Sequence, residues 1–340
     1  TKTWRAPRQP QSQRDRPAMA KPRVGEAPTE RAEPPVPGRA RRWWVYQRER
    51  FPLATHVPLI AAFSFCTLSY SSLARGVVRL PDPRAVFVAF ATAFIFFLQL
   101  RIADEFKDFD DDARYRPYRP VPRGLITLRE LGSVALVGGA VQLLLALWLA
   151  PALVPFLLLV WGYLGLMSRE FFVSHWLKAH PFTYMWSHML ILPLIDLYGT
   201  ACDWRVAGVA PPVGLIFLLA VSFCNGFVVE VGRKIRAPED EEPGVETYSA
   251  VWGRRRAVAF WYGALLVTAA GALLAAAQIR FAVPLAAVLV ALLIAAGVVA
   301  QRFLRRAVSP RAKLIETISG GWTLVMYLGL GAVPLAARLH

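Results

Sequence analysis

The sequence predicts an all-α, polytopic membrane protein with about nine transmembrane helices packed in a bundle. Hydrophobic residues make up 56% of its 340 residues and charged residues 18%, and its mean hydropathy is +0.40. An ordinary soluble domain carries more charge and fewer apolar residues than this. The apolar residues also fall into long runs, and a helix that crosses a bilayer needs about 20 mainly apolar residues.

Residues 1–45 differ in composition from the rest of the chain, because they are rich in proline and arginine and almost without aliphatic runs. Such a segment is typical of disorder, since it offers little apolar surface to bury. We therefore divide the chain into a disordered basic tail over 1–45 and a nine-helix transmembrane domain over 46–340. The tail is either a solvated extension or a basic segment with a membrane-surface or regulatory role.

Nine apolar runs between charged or proline-rich breaks are the expected membrane spans. The third and fourth runs are separated only by Ala150 and Pro151, which predicts a tight hairpin between them. The nine runs lie near 53–75, 85–106, 130–150, 152–168, 182–200, 211–232, 256–278, 281–302 and 315–337.

The net charge of +16 lies mainly in the tail and in particular loops. About twenty Lys and Arg residues flank the spans on the side of the N-terminus, against about six on the other side. The positive-inside rule therefore places the N-terminus in the cytoplasm and, with nine spans, the C-terminus across the inner (cytoplasmic) membrane. Basic loops beside a bilayer indicate membrane lipids as partners and do not indicate nucleic acid.

Acidic residues crowd into two segments on that same side, and the first acidic segment covers residues 100–127. Asp104, Asp108 and Asp112 recur at i, i+4 and i+8, so on a helix they form one stripe. Three carboxylates on one face repel each other unless a cation binds them, and Mg²⁺ accepts one or two carboxylates together with substrate phosphates. We predict catalytic and metal-binding roles for all three. The alternative is a solvated helix end with i,i+4 ion pairs.

The basic residues of the first acidic segment suit a phosphorylated substrate. Lys107 lies inside the stripe of acids, and Arg119 and Arg123 follow it closely in sequence. Arginine binds phosphate oxygens through two parallel hydrogen bonds, and lysine binds them as a point charge. We predict that these three residues bind the substrate.

The second acidic segment covers residues 225–253. Glu230 ends the sixth span and is followed within about one helical turn by Arg233 and Lys234. We predict that Glu230 is a catalytic and metal-binding acid, that Asp240 is a further metal ligand, and that the two cations bind phosphate. The alternative for the acids around Asp240 is a solvated turn.

The two segments together resemble the UbiA superfamily of intramembrane prenyltransferases, and the resemblance covers roughly 52–337. The first motif of that family is Asn-x-x-x-Asp-x-x-x-Asp, and the stripe of three acids matches it with Asp104 in the Asn position. Further matches to the family pattern are Arg119-Pro120, Gly124 and Thr127 in the first segment and Glu230, Asp240, Gly244, Thr247 and Gly253 in the second.

The chain departs from the family pattern in two places. Arg236 and Gly232 stand four and eight residues before Asp240, where the family has evenly spaced acids. The Tyr-x-x-x-Lys element that follows the fourth span in the family has its nearest match here in a stretch that ends at Arg169. The resemblance makes Arg169 a substrate-binding candidate, and the departures indicate a divergent member.

The resemblance implies a UbiA-like bundle and a Mg²⁺-dependent prenyltransferase. Such an enzyme ionises a polyprenyl diphosphate donor and transfers the prenyl group to a hydrophobic or lipid acceptor. Two alternatives stay open, namely a UbiA-type terpene cyclase and a non-catalytic or transport protein of the same fold. A transporter predicts charged residues near the middle of the membrane, whereas the charges of this sequence cluster at one face, which favours an enzyme.

Overall fold

The computed structural model describes residues 38–339, and every regular element in that range is helical. The tail predicted over 1–45 lies mostly outside the described residues, but its last seven residues belong to a helix that begins at Arg39. The helices are α1 Arg39–Arg50, α2 Leu53–Ala74, α3 Pro83–Lys107, α4 Phe109–Tyr115, α5 Leu128–Leu149, α6 Val154–Ser168, α7 Ser174–Ala179, α8 Pro181–Met189, α9 Ile191–Trp204, α10 Leu215–Arg233, α11 Tyr248–Val251, α12 Arg254–Gln278, α13 Ala282–Arg305, α14 Ser309–Leu330 and α15 Ala332–Leu339.

Within the described range, eight stretches of helix are long and apolar enough to cross a membrane. They correspond to eight of the nine predicted runs. The remaining run, 182–200, is covered by α8 and α9, which are separate helices that meet at Leu190. The predicted all-α, polytopic bundle of about nine spans is therefore confirmed, with the fifth span divided in two.

The start of α5 shows how local sequence positions the first acidic segment. Thr127 is the N-cap residue, and its side-chain oxygen accepts a hydrogen bond from the backbone N–H of Glu130. The Glu130 carboxylate accepts in return from the backbone N–H of Thr127 at 2.8 Å. This capping box stabilises a helix start by about 1 kcal/mol, so it fixes the point at which the segment re-enters the bundle.

Helix α10 packs against α9, α12 and α14 and lies inside the bundle. Trp261 of α12 is fully buried there, and its indole N–H donates to the Ser319 hydroxyl of α14 at 2.8 Å. By contrast, Leu136 of α5 and Val283 of α13 are strongly exposed apolar side chains. Exposed apolar faces of this kind are expected where a bundle borders lipid, because lipid chains are as apolar as the side chains.

The close contact between Gly331 and helix α2 provides a test of how the helices of the bundle pack. A Cβ atom on Gly331 would lie 2.5 Å from both the Cα and the carbonyl oxygen of Cys66. Backbone cannot move aside as a side chain can, so we expect Gly331→Ala to destabilise the bundle by about 1–3 kcal/mol, as overpacking does. Thermal unfolding in detergent measures the effect.

The matched control is Gly320→Ala, because a Cβ there meets no atom within 4 Å and Gly320 lies on α14, the helix that ends directly before Gly331. Alanine favours a helix over glycine by up to about 1 kcal/mol, so this variant is expected to unfold at or slightly above the wild-type temperature. Equal unfolding temperatures for both variants would contradict the close contact of Gly331 with α2.

Candidate active site

The two acidic segments lie against each other at one end of the bundle, which we call the loop face. The phenol of Tyr118 donates to a carboxylate oxygen of Glu242 at 3.2 Å. Gly244 has a φ of +77°, and a Cβ on it would lie 2.5 Å from the Tyr115 ring. Only glycine suits such a left-handed backbone pressed against a ring. The sequence separates these residues by more than a hundred positions, and the fold brings them together.

Asp104 and Asp108 are placed at the C-terminal end of α3. The Asp104 side chain is 43% exposed and lies 2.9 Å from Arg101 and 3.7 Å from the Lys107 ammonium. Asp108 is half-buried and follows the last residue of the helix. Burial raises the pKa of Asp108 above its ordinary value, the carboxylates of Asp104 and Asp112 act in the same direction, and the Lys107 ammonium opposes them. A bound cation would therefore stabilise the ionised pair.

Lys107 contacts an aromatic side chain from another helix. Its ammonium donates to the Tyr184 hydroxyl of α8 at 2.5 Å. The Tyr184 ring stacks on the His188 ring, with centroids 4.0 Å apart and planes 14° apart. The break between α8 and α9 thus places two rings next to the Lys107 ammonium. A hydropathy pattern contains no signal for this contact.

Asp112 lies on α4, where two arginines bind its carboxylate. Arg119 Nη1 donates to its two carboxylate oxygens at 2.8 and 2.6 Å, and Arg116 Nη1 donates to one of them at 3.1 Å. The Asp112 side chain is buried, so two guanidinium groups neutralise it. Burial lowers the pKa of Arg119, and its hydrogen bond to Asp112 acts in the opposite direction. The structure therefore places Asp112 as the residue that positions Arg119.

Glu230, Arg233 and Lys234 form one ion cluster at the end of α10. The Glu230 carboxylate accepts from Arg233 Nε at 2.7 Å and lies 2.8 Å from the Lys234 ammonium. The formal charge of the three groups is +1, since one acid meets two bases. The carboxylate of Asp104 acts electrostatically on Arg233, so the cluster and the first acidic segment share one electrostatic environment.

Asp240 lies in a different setting. Its carboxylate accepts from the Ser309 hydroxyl at 2.8 Å, and Glu239 accepts from the Ser309 backbone N–H at 2.9 Å. Ser309 is the first residue of α14, so the two acids satisfy the N-terminus of that helix. The contacts seen for Asp240 are those of a helix cap and do not join it to Glu230.

We expect Asp240→Asn to leave the rate of diphosphate release within about twofold of the wild type, as changes outside a reaction centre usually do. An amide oxygen still accepts the hydrogen bond from Ser309, so the cap is kept. The rate of diphosphate release from a prenyl diphosphate measures the effect. A loss as large as that of an acid of the first segment would restore the metal-binding role that the sequence predicts for Asp240.

The two remaining sequence-predicted cations lie at the edges of the site. Arg123 is bound to α1 through the Glu49 carboxylate at 2.9 Å and to the Tyr118 carbonyl at 3.0 Å. Arg169 is exposed where α6 ends. The structure therefore brings Lys107, Arg233 and Lys234 toward the acids, and leaves Arg123 and Arg169 outside that group.

A buried ion pair inside the first acidic segment escaped sequence reasoning. Glu105 directly follows Asp104 but points into the protein, where its carboxylate lies 2.5 Å from Arg50 Nε of α1. The Glu105 side chain is buried, and the Arg50 side chain is 10% exposed. In the sequence Glu105 is one acid in a run of acids, and nothing in the spacing marks Arg50 as its partner. The pair attaches α1 to the end of α3 that carries Asp104 and Asp108.

The donor set at the loop face fits one divalent cation better than two. Among residues 38–339, no group of three or more His, Cys, Asp or Glu side chains is arranged to hold a metal ion unaided. Mg²⁺ needs only one or two protein carboxylates when substrate phosphates supply further ligands, and Asp104 with Asp108 can provide these. Glu230 is already paired with two bases, so its carboxylate is a poor ligand for a further cation.

Comparisons with known proteins agree with this architecture. A model of the UbiA prenyltransferase family matches residues 62–319. A structure from work on the biosynthesis of digeranylgeranylglyceryl phosphate synthase in membranes aligns with a TM-score of 0.60 at 13% identity, over 87% of this chain and 99% of that one. The apo structure of a UbiA homologue from Aeropyrum pernix K1 aligns with a TM-score of 0.62 at 13% identity, over 83% and 98% of the two chains.

Identity at this level shows a shared fold and leaves the substrate open. Among curated proteins, no sequence matches this chain significantly.

Proposed function

The chain belongs to the UbiA prenyltransferase family, and on that premise we propose that it is a Mg²⁺-dependent intramembrane prenyltransferase. It ionises a polyprenyl diphosphate donor and transfers the prenyl group to a hydrophobic or lipid acceptor. The single observation that supports this most is that Lys107 lies beside Asp104 and Asp108 at the end of α3, with the Arg233 guanidinium within electrostatic range of Asp104. A diphosphate leaving group requires carboxylates that bind a divalent cation and basic side chains that bind its two phosphate groups.

The chemistry asks for charge stabilisation more than for covalent catalysis. The bond between the allylic carbon and the diphosphate oxygen breaks, and the diphosphate leaves with both electrons. Lys107, Arg233 and Lys234 stabilise the charge that develops on the departing oxygens, because cations that ion pairs already hold in place need little reorganisation. Asp104 and Asp108 would hold Mg²⁺, which when bound would supply Lewis-acid neutralisation of the same phosphates.

Two further acids position cations in this scheme. Glu230 holds Arg233 and Lys234 together at the end of α10, and Asp112 holds Arg119 beside the first segment. A carboxylate that binds a base restricts its rotamers, so less entropy is lost when the base meets phosphate. We therefore assign Glu230 and Asp112 as positioning residues rather than as metal ligands.

We further propose an orientation of the helix bundle in the membrane. The excess of basic residues lies at the loop face, so this face is cytoplasmic, with the N-terminus on the same side and the C-terminus opposite. The donor's diphosphate then lies at the aqueous boundary, and its prenyl chain extends between apolar helices. Membrane lipids surround the bundle and deliver both apolar substrates laterally.

Mass spectrometry of the reaction products tests transfer directly. The purified protein in nanodiscs is incubated with Mg²⁺, an isotope-labelled prenyl diphosphate and a membrane lipid extract that supplies acceptors. The proposal predicts a labelled product in which one prenyl group replaces a hydrogen atom of the acceptor, with diphosphate and a proton released. A labelled hydrocarbon formed without any extract would instead identify a terpene cyclase, and labelled donor recovered intact would contradict both enzyme functions.

A further inference from the structure

Helix α1 carries an outward stripe that the proposed reaction does not use. Arg41, Trp44 and Arg48 recur at i, i+3 and i+7, so they share one side of the helix. Trp44 is 62% exposed, and Arg41 and Arg48 are exposed as well. An exposed tryptophan between two exposed arginines is typical of a helix that lies at a membrane surface.

The opposite side of α1 is fixed to the bundle at both ends. At one end, Arg42 donates from Nη2 to both carboxylate oxygens of Glu130 at 2.9 Å. At the other end, Arg50 makes the buried ion pair with Glu105. Between them Tyr46 is buried in a small apolar cluster. These contacts set the rotation of the helix, so the stripe is held on its outer side.

The position of α1 along the chain determines how deep this helix lies relative to the membrane. The spanning helix α2 begins at Leu53, only a few residues after α1 ends at Arg50. The inner contacts of α1 are with the loop-face ends of α3 and α5, so the helix lies across those ends. A helix at that level is at the boundary between lipid and water, where tryptophan and arginine are the preferred residues.

We infer that the stripe of Arg41, Trp44 and Arg48 is a binding surface for anionic lipid headgroups. The indole sits at headgroup depth, and each guanidinium binds a headgroup phosphate through paired hydrogen bonds. The stripe itself contains no acid, and the nearby Glu49 is engaged by Arg123. This surface takes no part in the proposed reaction. Lipid binding by the stripe therefore does not depend on which substrate the protein uses.

The charge of residues 1–37 does not favour binding of this segment to the stripe. That segment contains eight Lys and Arg residues against four Asp and Glu residues. It therefore has the same sign of charge as the stripe. An anionic surface complements both the tail and the stripe.

Hydrogen exchange of α1 tests the inference in the full chain. The protein is placed in nanodiscs of phosphatidylcholine alone or of phosphatidylcholine mixed with phosphatidylglycerol, and exchange of the amides of residues 39–50 is followed by mass spectrometry. We expect exchange to slow by roughly tenfold in the anionic nanodiscs, since each basic residue near such a surface adds to binding. The difference is expected to shrink as NaCl is raised, because salt screens the attraction.

The triple variant Arg41→Gln, Trp44→Ala, Arg48→Gln is expected to exchange equally in both kinds of nanodisc. Its inner contacts are unchanged, so α1 keeps its place. The control is Arg254→Gln, Arg255→Gln, which removes an exposed basic pair at the start of α12 and is expected to keep the lipid effect. Equal exchange of the wild type in neutral and anionic nanodiscs would overturn the inference, as would a lipid effect that survives in the triple variant.

Discussion

Asp108→Asn is expected to lower the rate of Mg²⁺-dependent diphosphate release by about a thousandfold, at the upper end of what removal of one stabilising group at a reaction centre costs. The change removes one negative charge and keeps the size of the side chain. Asp108 is half-buried at the junction of α3 and α4, near the Asp104 and Asp112 carboxylates. The measurement is diphosphate release at saturating donor, with Mg²⁺ varied.

The matched control for this substitution is Asp110→Asn. Asp110 lies in the same segment but is exposed on α4, so its neutralisation is expected to change the rate by no more than about twofold. Unfolding temperatures of both variants establish that the bundle is intact. If Asp108→Asn released diphosphate at the wild-type rate with the same Mg²⁺ dependence, the role of the first acidic segment would be refuted.

Lys234→Met is expected to lower kcat/KM for the prenyl diphosphate by about a hundredfold, which is the value of a charge-assisted hydrogen bond to phosphate at the upper end of its range. Lys234 is held 2.8 Å from Glu230 and 5.5 Å from the Tyr248 ring centroid, so it is fixed in place before the donor arrives. Steady-state kinetics with one donor at fixed Mg²⁺ measure the loss.

Removal of another lysine at the loop face provides the control. Lys313 is highly exposed and pairs with Glu316 at 3.0 Å, so Lys313→Met is expected to stay near the wild-type kcat/KM. Partial recovery in Lys234→Arg would support a direct contact with phosphate. Equal kinetics for Lys234→Met and the wild type would mean that the ion cluster on α10 serves the structure alone.

The fold could be predicted from the sequence because a membrane span leaves a strong local signal. The predicted run 53–75 is α2, Leu53–Ala74, and the predicted run 85–106 lies within α3, Pro83–Lys107. Hydropathy did not reveal the division of the fifth span at Leu190, because the apolar sequence continues across it. It also gave no sign of α1, whose helix is held by contacts with α3 and α5 that lie far away in sequence.

The site could be predicted only in part, because the partners of its charged residues come from elsewhere in the chain. Spacing identified Glu230 with Arg233 and Lys234, since residues three and four apart are neighbours on a helix. Spacing also grouped Asp112 with the other acids. In the structure, α3 ends at Lys107, and Asp112 lies on the separate helix α4, where it pairs with Arg119 and Arg116. The cap formed by Asp240 depends on Ser309, which no local pattern connects to it.

The measurement that tests the central claim most directly is diphosphate release by the purified protein from a panel of prenyl diphosphates, with Mg²⁺ or with EDTA, beside Asp108→Asn. The account predicts release from at least one donor that requires Mg²⁺ and is abolished by the substitution. No release from any donor, even with membrane extract added as a source of acceptor, would contradict it, as would release that EDTA and Asp108→Asn leave unchanged.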